Sequence, residues 1–254
     1  MTTSVLPPDV RDALIAIAHT PELLVVSDYD GTMSPIVSNP SDAVPNPASA
    51  RALADLAALE HTTAAMLSGR ERSVLATLSG LGDPVQLVGS HGTEFDTGFV
   101  TPLDDDDRRR LADLEREIGA IAADTPGAGT ETKPASVTLH VRNADPEAGH
   151  LALERARKGP ANWANVHVTE GKAVIELAVV ETDKGFAIDL LRERSAATAV
   201  VFLGDDVTDE KGFSRMRDGD VGIKVGEGAT LARYRVASTD DVATALRLLY
   251  DERH

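Results

Sequence analysis

Leu23-Leu24-Val25-Val26-Ser27-Asp28-Tyr29-Asp30-Gly31-Thr32 is the stretch that decides the fold. Its first half is an apolar run too short for a helix and without alternation, the pattern of a strand buried on both faces of a parallel sheet. The run stops at two carboxylates two positions apart, followed by a glycine that permits a tight turn. The same design recurs along the chain. Ala64–Leu67 stops at Ser68-Gly69, Val85–Val88 at Gly89-Ser90-His91, Ala199–Leu203 at Gly204-Asp205-Asp206, and Val221–Val225 at Gly226. Between these runs and after the last of them, Ala48–Leu59, Lys184–Arg194 and Val242–Tyr250 carry leucine or isoleucine at helical spacing. Strand and helix in alternation predict an α/β fold, a doubly wound parallel sheet. In such a sheet ligands bind beyond the carboxyl ends of the strands, where all the polar clusters fall.

The middle of the chain has another rhythm. Asp104–Ala123 reads as a charged helix with its acids at the start, where the helix dipole favours them. A Gly/Thr/Pro-rich loop is expected over 124–134. Ser136–Arg142 then alternates, with Val137, Leu139 and Val141 on one face and Ser136, Thr138, His140 and Arg142 on the other. Pro146–Lys158 reads as a helix, and strands are expected around Val166–Thr169 and 172–180. Half-exposed strands with helices are α+β character. The expectation is a catalytic core made of residues 1–100 and 179–254, with an inserted α+β domain over 101–178.

Composition narrows the function. Twenty-five basic against 41 acidic residues give a net charge of −16. A field of that sign repels nucleic acid and anionic membranes, so a small-molecule ligand is expected and neither of those partners is. It also repels phosphate esters, so a phosphate site here must supply its own positive charge. With no cysteine, disulfides, thiolate metal sites and cysteine nucleophiles are excluded, which fits the cytoplasm. Met1–Thr20 holds acids and two prolines instead of a basic stretch and an apolar run, so it does not read as a targeting segment. A cytoplasmic monomer is the expectation. Gly226-Glu227-Gly228 lacks the third glycine of a dinucleotide fingerprint, and no two of the histidines are spaced for a helical zinc site.

The strand ends carry the chemistry. Two like charges ~4 Å apart cost on the order of 4 kcal/mol at an effective dielectric near 20, and a hard divalent cation such as magnesium removes that cost. Asp28 is then placed to attack phosphorus, and Asp30 to protonate the leaving oxygen and later activate water. A plain Asp-Gly turn is the competing reading of this pair. In Gly204-Asp205-Asp206-Val207-Thr208-Asp209-Glu210, Asp205 is the expected third metal ligand beside Asp28 and Asp30. Asp206 or Asp209 would act from behind the ligands or through water, and Glu210 as a helix-start acid. The Ser68 hydroxyl and the Gly69 N–H suit a phosphate oxygen if a helix starts there. Lys184 opposes the dipole of the helix it begins, so neutralising phosphate and Asp28 explains it better than local structure does.

The order Asp-x-Asp, Ser-Gly, Lys, Gly-Asp-Asp resembles the haloacid-dehalogenase-like superfamily. Asp28-Tyr29-Asp30-Gly31-Thr32, Leu67-Ser68-Gly69-Arg70, Gly89-Ser90-His91-Gly92-x-Glu94, Gly171-Lys172-x-Val174-x-Glu176-Leu177, Asp183-Lys184-Gly185 and Gly204-Asp205-Asp206-x-Thr208-Asp209-Glu210 are similar to the trehalose-phosphatase family. The resemblance runs from about Leu23 to Ala237. It implies a Rossmann-like core with an α/β cap, and hydrolysis of trehalose 6-phosphate through an aspartyl-phosphate with magnesium as cofactor. By the same resemblance Asp28 is the nucleophile and Asp30 the general acid/base. Ser68, Gly69 and Lys184 hold the phosphoryl group. Asp28, Asp205 and the backbone carbonyl of Asp30 bind the metal. Lys133, His140, Arg142, Lys172 and Glu176 contact the sugar. After Glu176-Leu177 the family continues Arg-Pro, whereas this chain has Ala178-Val179. Another sugar phosphate as substrate, a non-catalytic binding protein and a phospho-accepting receiver are the rival readings.

Overall fold

The structure is a computed structural model that describes residues 5–254 except 97, 100–102, 134, 172, 181 and 182. The chain divides into two compact units, Met1–Val100 with Thr182–His254, and Thr101–Glu181. In chain order the first unit holds α1 (Pro8–Ala18), β1 (Leu23–Asp28), α2 (Pro47–Ala57), β2 (Thr62–Leu67), α3 (Arg72–Ser79), β3 (Gln86–Val88), β4 (Glu94–Phe95) and β5 (Gly98–Phe99). The second unit follows with α4 (Asp105–Ala123), β6 (Gly129–Lys133), β7 (Ser136–His140), α5 (Pro146–Lys158), β8 (His167–Gly171) and β9 (Val174–Ala178). The chain then returns to the first unit with α6 (Lys184–Arg194), β10 (Ala199–Gly204), α7 (Asp209–Phe213), β11 (Val221–Val225), β12 (Tyr234–Val236) and α8 (Thr239–Arg253).

The main sheet of the first unit runs β12-β11-β10-β1-β2-β3, with every pairing parallel. From β1 the chain winds outward through β2 and β3. On its return it starts at β10 and winds the other way. The strand order therefore reverses between β1 and β10, where open α/β sheets place their ligand crevice. Val26 pairs with Phe202 and Ser27 with Leu203, so Asp28 and the Gly204-Asp205-Asp206 loop leave the sheet side by side. Alternate residues of the strands feed two cores. Leu23, Val25, Ala64, Met66, Val201 and Leu203 pack with apolar residues of α1, α2 and α8. Leu24, Val26, Ala65, Leu67, Val200 and Phe202 pack with those of α6 and α7. β1 is buried throughout, as its uninterrupted apolar run requires.

The second unit has an antiparallel sheet of order β6-β7-β9-β8. α4 lies against β6 and β7, and α5 against β9. Val137, Leu139, Ile175 and Leu177 are buried on one set of alternating positions. The other set carries Glu131, Lys133, Ser136, Thr138, His140 and Glu176, with Thr138 opposite both Glu131 and Glu176. α4 begins at the acidic run, as expected, and the structure adds a reciprocal capping box between Asp104 and Asp107.

Three expectations need correction. The region expected as a loop over 124–134 contains the edge strand β6. Its Gly-Thr-Glu-Thr-Lys sequence is exposed except at Lys133, so it carries no apolar signal, and pairing with β7 alone makes it a strand. β7 ends at His140, leaving Arg142 exposed in a turn rather than on the strand face with His140. The second boundary falls at Glu181 rather than 178, because the Val179 N–H still donates to the Ala135 carbonyl at 2.9 Å.

Candidate active site

Asp28 closes β1 with only 4% of its surface exposed. The chain turns at once: Met33 and Ser34 N–H groups donate to the Tyr29 carbonyl, and Gly31 N–H donates to Ser34. Gly31 sits at φ +83°, and a Cβ there would lie 2.0 Å from Oδ2 of Asp205. Only glycine both adopts that φ and lets the Asp205 carboxylate lie against the turn. The loops after β1 and β10 are thus in direct contact.

Lys184, in the first turn of α6, is 3% exposed. Its Nζ donates to Asp28 Oδ1 at 2.6 Å and to Asp209 Oδ1 at 2.7 Å. Asp183 caps the helix by accepting the Phe186 N–H, which fixes where α6 and its lysine begin. The other oxygen of Asp209 accepts the N–H groups of Asp205 at 3.0 Å and Asp206 at 2.9 Å. Asp209 is therefore a fully buried hub that joins Lys184 to the loop presenting Asp205. Asp206 is exposed, with Oδ1 accepting the Val207 N–H.

Carboxylate oxygens of Asp28, Asp205 and Asp209 lie within 4.8 Å of one another, and Asp205 Oδ1 is buried with no hydrogen-bond partner among the described residues. Burial pushes the Asp28 carboxyl well above its usual range, against the pull of Lys184 and with the push of Asp209 and Asp205. Burial, then Asp209, raises Asp205 to about 6. For Lys184 burial works against the charge, yet Asp28 and Asp209 together hold it above its ordinary value. Three acids against one lysine leave negative charge in excess, and an orphaned carboxylate oxygen faces that excess. A hard divalent cation bound by oxygen atoms fits both observations.

A stability test follows from Asp205. Its folded value of about 6 lies above the ordinary 3.8. Between the two, the folded state keeps a proton that the unfolded state has released, so raising pH strips it and lowers stability. In metal-free buffer the melting temperature of the wild type should fall by about 2–4 °C relative to Asp205→Asn between about pH 5 and pH 7, some 1 kcal/mol after allowing for solvent screening. Added magnesium should abolish the fall, because bound carboxylates are ionised throughout. A difference of the opposite sign, or one that magnesium leaves unchanged, would refute the cation site.

Ser68 follows β2, is 1% exposed, and accepts the Arg70 N–H on its Oγ at 3.2 Å. α3 starts only at Arg72, so Ser68 and Gly69 lie in a loop and not at the helix start that the sequence reading expected. This loop is held from behind by the turn after β3. Ser90 N–H donates to the Arg70 carbonyl at 2.8 Å, and His91 N–H to the Ser68 carbonyl at 2.9 Å. Glu94 accepts the Arg72 N–H at 2.8 Å.

Asp30 turns away from the three acids. Its two oxygens accept from Nε and NH2 of Arg70, each at 2.7 Å. Arg70, Glu94 and Lys224 stand in the site although their residue types and spacing gave them no role. Lys224 is buried on β11 and its Nζ donates to the Asp205 carbonyl. Glu94 lies in a block noted only for its resemblance. The position of Lys224 inside an apolar run, Val-Gly-Ile-Lys-Val, was the available signal.

In the second unit Lys133 Nζ pairs with Glu176 Oε2 at 3.1 Å, and Ser136 Oγ donates to Glu176 Oε1 at 2.6 Å. The buried Thr138 Oγ1, beside them on the same face, has no hydrogen-bond partner among the described residues. His140 Nε2 lies 3.0 Å from Glu131 Oε2, with both side chains half exposed. Lys172 lies outside the described residues. Lys133, Ser136 and Glu176 thus form one cluster, while Arg142 stands apart from it in its turn. No helix among the described residues is long and apolar enough to cross a membrane.

Residues 26–240 match the family model described as trehalose-phosphatase. The chain is 31% identical to the trehalose-6-phosphate phosphatase of Escherichia coli over 92% of this chain and 90% of that protein. Its fold is similar to the C-terminal domain of trehalose-6-phosphate phosphatase from C. albicans, with a TM-score of 0.78, 23% identity and 99% of each chain covered. A haloacid dehalogenase-like hydrolase from B. subtilis shares the fold at a TM-score of 0.63 and 12% identity, over 89% of this chain and 98% of that one.

Proposed function

The chain belongs to the trehalose-phosphatase family, and we propose that it hydrolyses trehalose 6-phosphate to trehalose and phosphate in two steps through an aspartyl-phosphate. The observation that carries this reading is the buried Asp28–Lys184–Asp209 chain of ion pairs at the reversal of the strand order. It presents a carboxylate nucleophile with a cation already fixed against it.

In the first step an Asp28 oxygen forms a bond to phosphorus while the bond from phosphorus to the sugar oxygen breaks. Asp30 gives its proton to that oxygen, which leaves as the free hydroxyl. In the second step water attacks the same phosphorus, Asp30 takes the water proton, and the bond from phosphorus to Asp28 breaks. Inorganic phosphate leaves, and both aspartates return to their starting forms. Lys184 offsets charge on the phosphoryl oxygens without reorganising, because Asp209 already holds it in place. The Ser68 hydroxyl and the Gly69 N–H bind a further phosphoryl oxygen. Asp28, Asp205 and the Asp30 carbonyl would hold magnesium, which supplies charge neutralisation at the phosphoryl group. Asp209 serves by fixing the lysine and the Asp205-Asp206 amides, and Asp206 through water.

Lys133, His140, Arg142, Lys172 and Glu176 are the sugar contacts in this reading. Sugar hydroxyls need donors and acceptors side by side, and the Lys133–Glu176–Ser136 cluster offers both. The acidic, cysteine-free chain suits an enzyme of the cytoplasm.

The test is phosphate release from trehalose 6-phosphate, sucrose 6-phosphate, glucose 6-phosphate and mannose 6-phosphate, with and without magnesium. Trehalose 6-phosphate is expected to exceed the others in kcat/KM by at least about 100-fold, below the roughly 10⁴–10⁵ that a fully hydrogen-bonding pocket reaches. Comparable rates on another ester would remove the substrate. Absence of release from every ester by folded, magnesium-loaded protein would remove the enzyme.

A further inference from the structure

We propose that Arg70 is the positioning residue of the general acid/base, holding Asp30 in line with the departing oxygen, and that the Ser90–His91 turn exists to hold Arg70. The proposal rests on the two-step reading above but not on the identity of the sugar.

Asp30 is a short side chain at a surface turn, 34% exposed, and a carboxylate so placed has free rotation unless something grips it. Arg70 grips it at two points, Nε on Oδ2 and NH2 on Oδ1, each at 2.7 Å. A guanidinium fork on a carboxylate fixes both direction and plane, which a single-point cation does not. The guanidinium is itself fixed. It lies over the Tyr29 ring at 5.6 Å from the centroid, and the Tyr29 hydroxyl donates to the Ala43 carbonyl at 2.6 Å. Arg70 and Asp30 are thus tied to the residue between the two catalytic aspartates.

The backbone under Arg70 is gripped as firmly. Its N–H donates to Ser68 Oγ and its carbonyl accepts the Ser90 N–H. The His91 ring covers Gly69 so closely that a Cβ there would meet it at 2.5 Å. Ser90 and His91 accomplish this at φ +49° and +54°, two successive left-handed residues neither of which is glycine. Such backbone is unfavourable for residues with a Cβ and persists where the surroundings over-determine it. Here the two N–H groups it aims, at Arg70 and Ser68, hold both the phosphate loop and the root of the fork.

Arg70 acts through Asp30, the group that meets the departing oxygen.

The experiment compares Arg70→Met, Arg70→Lys, Asp30→Asn and the double variant Arg70→Met/Asp30→Asn. Each is measured on 2,4-dinitrophenyl phosphate and on whichever sugar phosphate the wild type prefers. kcat/KM is the readout because it reports the step in which the leaving group departs, and dinitrophenolate departs without a proton. Arg70→Met is expected to lose about 100-fold on the sugar phosphate and less than about tenfold on the aryl ester. Arg70→Lys should recover part of the loss, and the double variant should be no slower than Asp30→Asn alone. Turnover of the aryl ester also reports folding, and if Arg70→Met fails to fold, Arg70→Lys carries the same comparison. Equal losses on the two esters, or losses that multiply in the double variant, would overturn the proposal. A wild type that prefers another sugar phosphate would change the substrate assignment and leave this test intact.

Discussion

Asp28→Asn lowers phosphate release by about 10⁴-fold or more and leaves the protein folded, with a melting temperature in metal-free buffer no lower than that of the wild type. The two halves of this expectation have one cause. Asp28 is 4% exposed, and burial together with Asp209 and Asp205 disfavours its charge more than Lys184 favours it. An asparagine keeps the shape and one acceptor oxygen for Lys184 but removes the charge. The fold is relieved while the nucleophile is lost, the usual exchange of stability for activity at a strained site. Magnesium should also raise the melting temperature of the variant less than that of the wild type. Residual turnover within about 100-fold of the wild type would assign the nucleophile elsewhere.

Lys184→Met is expected to damage both stability and rate. Nζ is the shared donor to Asp28 at 2.6 Å and Asp209 at 2.7 Å, and all three side chains are at most 5% exposed. Methionine fills the space and leaves two buried carboxylates facing each other. Breaking a buried pair in this way costs about 3–5 kcal/mol, so the melting temperature should drop by roughly 10 °C. Loss of the fixed positive charge at the phosphoryl group should lower kcat by about 10²–10³-fold. Adding Asp209→Asn removes one of the stranded charges, and its amide oxygen can still accept from the Asp205 and Asp206 N–H groups. The double variant should therefore regain stability and no activity. A single variant as stable as the wild type would show that the ion-pair chain is not what holds the β10–α7 loop.

The sheet and the polar clusters at its strand ends were legible because their signals are local. A strand buried on both faces must be apolar nearly throughout, and Leu23–Val26 and Ala199–Leu203 advertise it in four and five residues. Helix starts advertise themselves too, through the caps Asp104, Asp145 and Asp183. Elements lacking such signals went unread. β6 is a polar edge strand made by its partner, and the start of α3 lies beyond the Ser-Gly pair because the turn after β3 pulls the intervening loop out of helical geometry.

By itself the sequence determined which residue types stand at the ends of buried strands, and hence the α/β class, the inserted unit and the candidate acids. Only the tertiary structure decided who faces whom. The helix-start lysine pointed to Asp28, which it reaches across 156 residues, but its second partner Asp209 and the reach of Arg70 to Asp30 across 40 have no local signal. Strand register placed Asp209 between the lysine and the Asp205 loop, and turned Asp30 from the acidic cluster to an arginine. Pairings of this kind depend on the parallel alignment of β1, β2 and β10. That alignment is set by the burial of the whole sheet, so no window of neighbouring residues encodes it.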